Sequence, residues 1–439
     1  MTYISSIGLI VGIAVLITLN LKGINGFISA LAATIVVIVS NGMNFWEQMS
    51  GTFATGVGGF VTSYIFLFCL ASAYGELMKT SRSAEVAATW MFEVFGQRWA
   101  AVACMLISFV LAFGGINAFI IIFTLYPIAG PLFRKCNISA ALLPAIIMYG
   151  SINLLVMCPG NPSNLIIALS GYLGTTSYSA PVMSIVLLII ATIFGAWYFS
   201  NEVRKNAANG IGYVVKPGDD ELMSDDPNVD RPSVIVAFLP LILVIVVKTL
   251  LNSVMSITNG LLTAMLVAVV VLIALNFNRL KGHVMQDFTT GFWTSMNTLL
   301  VTGSIMGFAA VMKLAPGFVP YQNAASWMAY NLNPYLSAAI TINVFSCITG
   351  ACMAGTQMFV STMGETFAAM NLNNAGFMRM LSIAAMGLDT LPSSPVLVNT
   401  ASCCGVTVKE CYKYVFMVTV VAPLVLTVIS IGLIYIGIV

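Results

Sequence analysis

Long apolar runs recur along the whole chain and limit what it can fold into. Two examples are IVAFLPLILVIVVKTLL and YVFMVTVVAPLVLTVISIGLIYIGIV. An apolar run of about 18 residues or more is long enough to cross the hydrocarbon core of a bilayer as a helix. Charged residues make up 7% of the 439 residues, whereas soluble proteins carry roughly 25%. The sequence therefore predicts an all-α, polytopic membrane protein embedded in the lipid bilayer.

The composition also argues against several classes of function. The net charge is +2 and no basic cluster exceeds three residues, so we expect no nucleic-acid partner. The chain has one histidine, His283, and its nine cysteines form no CxxC pair, so we expect no metal site. It contains no phosphate-binding loop or nucleotide fingerprint, and ATP-driven transport by this chain alone is therefore not expected. We predict a protein that is not an enzyme and that needs no cofactor.

The two halves of the chain match each other at a nearly constant offset. FATGV at 53–57 resembles FTTGF at 288–292, an offset of 235 residues. PGNP at 159–162 resembles PSSP at 392–395, an offset of 233 residues. Because such regular spacing is hard to obtain by chance among apolar segments, we interpret the halves as internal repeats.

A hydrophilic stretch, 201–233, divides the chain almost in half and holds seven of its fifteen acidic residues. We assign it as a linker between a first repeat, 1–200, and a second repeat, 234–439. Each repeat is expected to contain about five spans, a re-entrant hairpin and a broken helix. An odd number of spans places the second repeat upside down in the membrane, so the repeats are inverted.

Hydropathy places the elements of the first repeat. Residues 98–135 have charged ends and a polar, glycine-bearing centre, FGGINAF, which is typical of a hairpin that enters and leaves on one side. The predicted spans lie near 3–20, 25–42, 56–77 and 181–200, with a broken helix over 139–172.

The basic residues orient this topology. With these spans, fourteen of the 17 Lys and Arg residues lie on one side, and Lys248, Lys313 and Arg379 lie on the other. Since Lys and Arg are enriched in cytoplasmic loops, we predict a cytoplasmic linker at 201–233 and both termini outside. The expected location is the cytoplasmic (inner) membrane of a bacterium.

Four polar breaks interrupt the apolar segments, two in each repeat. They are GGIN at 114–117, CPGNPSN at 158–164, TGACMAGTQ at 349–357 and LPSSPVLVNT at 391–400. An unpaired backbone N–H or C=O in hydrocarbon costs several kcal/mol, so irregular backbone must face protein or a wet cavity. Inverted repeats with discontinuous helices near the midplane are the layout of secondary transporters. The breaks therefore predict a transport site.

The residue types in the breaks suit a small anion. Glycine lets the backbone approach a ligand closely, proline frees helix carbonyls, and amides and hydroxyls donate hydrogen bonds. No Arg or Lys is near the breaks in sequence, so neutral groups and helix dipoles would hold the anion. The candidate substrate-binding residues are Gly114, Gly115, Asn117, Gly160, Asn161, Ser163, Asn164, Gly355, Thr356, Gln357, Ser393, Ser394, Asn399 and Thr400.

Asp389 is the acidic residue that the sequence singles out. It precedes Pro392 by three residues, lies deep in a broken span and has no basic neighbour. An ionisable residue inside a membrane is a functional candidate by default. We predict that Asp389 carries the coupling proton or coordinates a coupling cation, and capping of the broken helix is the alternative. The equivalent position in the first repeat is Val156, so we expect the cation beside the second break.

Several motifs carry a resemblance to a known family. GLDTLPSSPVLVNTASCCGVTVKECYK at 387–413 resembles the second-half signature of the gluconate permease (GntP) family, and FGGINAF resembles its first-half glycine motif. CPGNPSNLIIALSGYLGTTSYSAP at 158–181 resembles the branch for short hydroxy acids such as 3-hydroxybutyrate. The resemblance covers nearly the whole chain and is most specific at 387–392.

The resemblance implies an elevator-type symporter, expected to be a homodimer, with a dimerising scaffold and a moving transport domain. The scaffold would consist of 1–78 and 234–313, and the transport domain of 98–172 and 333–412. Gluconate permeases tend to have histidine in both breaks, where this chain has glycine, asparagine and two serines. This departure argues against gluconate itself as the substrate.

Together these observations predict a secondary active symporter for a small organic acid anion, coupled to H⁺. The substrate would be a hydroxy or keto monocarboxylate or a gluconate-like sugar acid. Coupling to Na⁺ remains open, as does a cation/proton antiporter without an organic substrate. A passive channel is also compatible with inverted half-helices, and it would show conductance without saturable counterflow.

Overall fold

A computed structural model describes residues 2–113, 118–161, 163–215, 230–251, 257–370 and 372–439. The first half is built from eight helices among these residues. They are α1 (Thr2–Leu21), α2 (Gly26–Ser40), α3 (Glu47–Thr80), α4 (Ser83–Phe113), α5 (Ala118–Lys135), α6 (Ala140–Met157), α7 (Asn164–Leu173) and α8 (Pro181–Ala208).

The second half contains ten helices among the described residues. They are α9 (Val234–Leu251), α10 (Ile257–Leu275), α11 (Phe277–Leu280), α12 (Val284–Leu314), α13 (Val319–Asn331), α14 (Pro334–Thr349), α15 (Cys352–Ala368), α16 (Asn374–Ala384), α17 (Pro395–Cys403) and α18 (Val408–Tyr435).

These helices confirm the predicted fold class. No strand occurs in the part of the chain that the structure describes. Seven of the helices there, α3 to α6, α8, α12 and α18, are long and apolar enough to cross a membrane. Large apolar side chains also face outward, for example Trp46 (75% exposed), Trp197 (62%) and Ile235 (77%). Exposed apolar surface of this kind fits contact with lipid, and the chain is an all-α polytopic membrane protein.

Both predicted hairpins consist of two packed helical arms. In the first half, Gly96 (φ 64°) divides α4, and α4 packs against α5. In the second half α14 packs against α15, and Gly350 (φ 65°) makes the turn. Both glycines adopt the left-handed conformation, which glycine adopts without a steric penalty. The helical segments 83–95 and α13, which precede the hairpins, were not predicted from the sequence.

Both predicted broken helices are broken. α6 ends at Met157 and α7 begins at Asn164 after the first break. α16 ends at Ala384 and α17 begins at Pro395 after the second break. Proline at the first helical position fits the start of α17, because that position needs no N–H donor. After α7, α8 continues to Ala208, so the predicted linker begins inside a helix.

A close and extensive helix crossing joins α3 and α12 from opposite halves. A Cβ added to Gly56 would lie 2.8 Å from the Cα of Gly307. At the other end of the crossing, a Cβ added to Gly291 would lie 2.6 Å from the backbone N of Ala73. The two helices run antiparallel, because the early part of each contacts the late part of the other. Glycine at both ends lets the two backbones approach each other closely.

Candidate functional site

The first break is a tight backbone turn centred on Gly160. Its φ of 73° lies in the left-handed region, and its N–H donates to the carbonyl of Ser177 at 3.0 Å. A Cβ added to Gly160 would lie 2.5 Å from the ring of Tyr178. The positive φ therefore favours glycine here, and a larger residue would also displace the Tyr178 ring.

The Asn161 side chain forms hydrogen bonds across the first break. It is fully buried, and its Nδ2 donates to the carbonyls of Val156 and Cys158 at 3.3 Å each. Its Oδ1 accepts from the N–H of Ser163 at 2.9 Å. The Ser163 hydroxyl in turn accepts from the N–H of Ile166 and caps α7. These two predicted ligands thus hold the ends of α6 and α7 in place.

Arg379 of α16 reaches the first break from the other half of the chain. It is fully buried, and its Nη1 donates to the carbonyl of Val156 at 2.8 Å. Its Nη2 donates to the carbonyls of Ser177 at 2.9 Å and Ser179 at 3.3 Å. Nε has no hydrogen-bond partner among the described residues. A positive charge therefore lies beside the C-terminal end of α6, whose carbonyls carry partial negative charge.

This position corrects one expectation from the sequence. Because no Arg or Lys is near the breaks in sequence, neutral groups and helix dipoles alone were expected to hold an anion there. That expectation was wrong, because α16 packs against α7 and against the end of α6, bringing Arg379 to Val156 across 223 residues of sequence. A signal was present, since Arg379 stands in the apolar run GFMRMLSIAAM. An ionisable residue in such a run is a functional candidate.

In the structure the second break is the segment 385–394, between the end of α16 and the start of α17. Asp389 lies in this segment and is 5% exposed. Its carboxylate interacts with the backbone N–H and the thiol of Cys352, the first residue of α15. Oδ1 has no hydrogen-bond partner in the described part of the chain. A carboxylate at a helix N-terminus is favoured by the exposed N–H groups and the helix dipole. The free oxygen leaves one coordination position open for a proton or a cation.

The turn of the second hairpin packs against the second break. A Cβ added to Gly350 would lie 3.6 Å from the carbonyl oxygen of Ser393. From α1, the Nδ2 of Asn20 donates to the carbonyl of Pro392 at 2.9 Å. The break is therefore held between the hairpin turn and the first helix of the chain.

Asn343 of α14 is a site residue that the sequence analysis missed. It is 5% exposed, and its Nδ2 donates to the carbonyl of Ala339 at 2.9 Å. A Cβ added to Gly387 would lie 2.2 Å from its Oδ1. Because Gly387 stands two residues before Asp389, this oxygen faces the second break. Nothing in the local sequence distinguishes Asn343 from an ordinary polar residue in a packed helix.

Several buried polar atoms without partners lie around the second break and its hairpin. Most buried polar groups in proteins have a hydrogen-bond partner, so these atoms are candidates to bind a polar ligand. Within the described residues, they are Thr341 Oγ1, Asn343 Oδ1, Ser346 Oγ, Thr356 Oγ1, Asp389 Oδ1, Ser393 Oγ and Asn399 Nδ2.

The other predicted ligands differ in position. Ser394 and Thr400 are buried at the second break, and the Thr400 hydroxyl donates to the carbonyl of Val396 at 2.6 Å. Gly355 faces the Ser346 side chain in the opposite arm, whereas Gln357 is exposed. Outside the described residues or side chains lie Gly114, Gly115, Asn117 and the side chain of Asn164.

A multi-pass helical protein with two broken helices and buried polar residues at each break belongs to the class of membrane transport proteins. A family model described as GntP family permease matches residues 4–435. This chain therefore belongs to the GntP permease family, and it is a transporter rather than an enzyme.

One relative extends this comparison. The chain is 22% identical over 429 residues to a Bacillus subtilis (strain 168) protein named uncharacterized transporter YxjC. The match covers 89% of this chain and 90% of that relative. The resemblance to the GntP family is thus confirmed over nearly the full length of the chain, and the resemblance to its hydroxy-acid branch stays a prediction.

Proposed function

We propose that this protein is a secondary active symporter that takes up a small organic acid anion together with H⁺. The observation that carries the proposal is the buried Asp389 carboxylate, with one unpartnered oxygen, at the end of a broken helix. Protonation removes a negative charge from that site, and a neutral group crosses a low-dielectric region at far lower cost than a charged one. Family membership supports transport, and the substrate and the proton belong to the proposal.

The proposal includes two inverted repeats, 1–200 and 234–439. The offset that relates FATGV to FTTGF also relates Gly56 to Gly291, and each of these glycines contacts the late part of the opposite helix. An antiparallel pair with such reciprocal contacts is expected from a pseudo-two-fold axis in the membrane plane.

Contacts between the breaks and the hairpins follow the same reciprocal pattern. The helix after the first break, α7, packs on α15 of the second hairpin. The helix after the second break, α17, packs on α5 of the first hairpin. This interlocking supports a transport unit composed of 98–172 and 333–412.

The scaffold in this proposal consists of 1–78 and 234–313, which include α3 and α12. Asn20 connects it to the transport unit, because the Asn20 amide donates to Pro392 in the second break. An elevator motion would have to break this hydrogen bond. The homodimer, the cytoplasmic linker 201–233 and the outer position of both termini belong to the same proposal.

Na⁺ is a second candidate for the coupling ion. Asn343 Oδ1 faces the second break and lacks a partner among the described residues, as does Asp389 Oδ1. Carboxylate and amide oxygens are suitable ligands for a hard cation. The test of the proposed function must therefore vary Na⁺ and pH independently.

A thermal-shift screen tests the proposed binding. Purified protein is heated with lactate, pyruvate, 3-hydroxybutyrate and gluconate, each with and without Na⁺ and at several pH values. A ligand at 100 times its Kd stabilises the native state by about 2.7 kcal/mol, so a substrate raises the melting temperature. We expect a carboxylate-specific rise that depends on H⁺ or on Na⁺. A melting temperature that no carboxylate changes would contradict the proposal.

Replacing Asn399 with Ala is expected to raise the apparent KM for the substrate about ten- to a hundredfold. Asn399 is buried beside the second break, with its Nδ2 unpartnered among the described residues, and a hydrogen bond to a charged group contributes about 1.5–3 kcal/mol. Uptake kinetics measure the change. The matched control is Asn331→Ala, at an exposed position at the end of α13, which should leave KM unchanged. Equal kinetics in both variants would remove Asn399 from the binding site.

A further inference from the structure

The two breaks contain buried charges of opposite sign. Arg379 lies at the first break and is fully buried, and Asp389 lies at the second break and is 5% exposed. Within the described residues, neither forms an ion pair with the other or with a third residue. The titratable group that faces Asp389 is the Cys352 thiol, and the one that faces Arg379 is the Cys158 thiol.

An unpaired buried charge is costly, and breaking a buried pair is strongly destabilising. Three backbone carbonyls solvate the Nη atoms of Arg379, but they carry no formal charge. Nε is buried and lacks a partner among the described residues. The first break thus contains a fixed positive charge and an unpartnered Nε–H donor, and these are the groups that a carboxylate would pair with.

We infer that Arg379 is the anion-selecting residue of the transport site and that the site takes one singly charged carboxylate together with one monovalent cation. The inference rests on the proposed symport and specifies the charge of its substrate. Without ligands, the charges of Arg379 and Asp389 sum to zero. With a monoanion at the first break and a proton or Na⁺ at Asp389, the sum is again zero. The buried charges of the site therefore balance in both the empty and the loaded state.

A dicarboxylate does not satisfy this charge balance. With one monovalent cation bound, a dianion leaves the buried charges of the loaded site at a sum of −1, which is costly to move through a low-dielectric region. The site is therefore expected to select monocarboxylates over dicarboxylates. Transport of one monoanion with one cation should also be electroneutral.

Accumulation in proteoliposomes at a clamped membrane potential tests this stoichiometry. Radiolabelled lactate, pyruvate, 3-hydroxybutyrate, gluconate, succinate and malate are each offered under an inward H⁺ or Na⁺ gradient, with valinomycin and K⁺ setting the potential. We expect a monocarboxylate to accumulate to the same ratio at 0 and −100 mV. One uncompensated charge per cycle would change that ratio about 50-fold.

The other outcomes of this measurement distinguish failure of the charge inference from failure of the proposed symport. A 50-fold voltage effect, or accumulation of a dicarboxylate in preference to every monocarboxylate, would overturn the charge inference while symport stands. Failure of every acid to accumulate under either gradient would overturn the proposed function itself.

Binding by variants of Arg379 tests the residue. Thermal shifts are compared for each monocarboxylate and its uncharged amide, for example lactate and lactamide. R379Q is expected to weaken carboxylate binding about ten- to a hundredfold, the size of a lost hydrogen bond to a charged group, without weakening amide binding. R379K keeps the charge and should retain part of the preference for carboxylate.

The ratio of carboxylate affinity to amide affinity also defines the control and the contradicting result. K409Q removes a positive charge from an exposed position and should leave the carboxylate preference unchanged. A purely structural Arg379 would weaken both ligands equally or leave both unchanged in R379Q and R379K, and either result would overturn the assignment. If R379Q does not fold, R379K still tests the role of Arg379, and the voltage measurement on the unaltered protein still tests the charge balance.

Discussion

Replacing Asp389 with Asn is expected to abolish concentrative uptake while exchange of substrate across the membrane continues. Asn has nearly the size and shape of Asp, but it neither takes up a proton nor offers a charged oxygen to Na⁺. The variant would then have no means of coupling the cation gradient to the substrate. The anion would still bind beside Arg379 at the first break, so the buried charges of the loaded site would still sum to zero.

Two assays on the same proteoliposomes separate coupling from transport. Uptake under an imposed H⁺ or Na⁺ gradient measures coupling, and counterflow of labelled against unlabelled substrate measures exchange. Glu365→Gln is the matched control, because it removes a carboxylate from an exposed position near the end of α15. Full concentrative uptake by Asp389→Asn would exclude Asp389 from the coupling role.

Replacing Gly56 with Leu is expected to destabilise the protein severely. The added Cβ would lie 2.8 Å from the Cα of Gly307, which is backbone and cannot rotate away. Overpacking a tight contact typically costs about 1–3 kcal/mol, and a Leu side chain between two backbones should reach at least the upper end. Because α3 and α12 come from opposite halves, the variant should lose the packing that joins the halves.

Gly59→Leu is the matched control in the same helix. Gly59 is exposed, and a Cβ added there meets no atom within 4 Å. Leu has the higher helix propensity, so this variant should be at least as stable as the unaltered protein. Melting temperature and size-exclusion profile in detergent measure both variants. Similar melting of the two variants would mean that the α3–α12 crossing does not hold the halves together.

Local signals in the sequence predicted much of the architecture. Apolar length identified the spans, and the prolines and glycine of PGNP and the prolines of PSSP identified the two broken helices. These signals work because a bilayer requires a run of fixed length and because proline removes a helical hydrogen bond. The helical segment 83–95 and α13 were missed, because short helices beside long spans have no distinct hydropathy signal.

The surroundings of each break could not be predicted in the same way. Asn161 was expected to bind substrate through its amide, but this amide is hydrogen-bonded to carbonyls of its own break. Arg379 reaches Val156 across 223 residues, and Asn343 approaches the second break from α14. Such contacts depend on which helices pack together, which is a property of the tertiary fold and not of a local pattern. Asp389 was recognisable, because a carboxylate in an apolar run is costly without a function.

The most direct test of the central claim is uptake by purified protein in proteoliposomes with an imposed inward H⁺ gradient. We predict that a labelled monocarboxylate accumulates above its external concentration, and that a protonophore abolishes this accumulation. Parallel vesicles with an inward Na⁺ gradient distinguish the two coupling ions. Equilibration of every monocarboxylate without accumulation, under both gradients, would contradict the account and indicate a passive pathway.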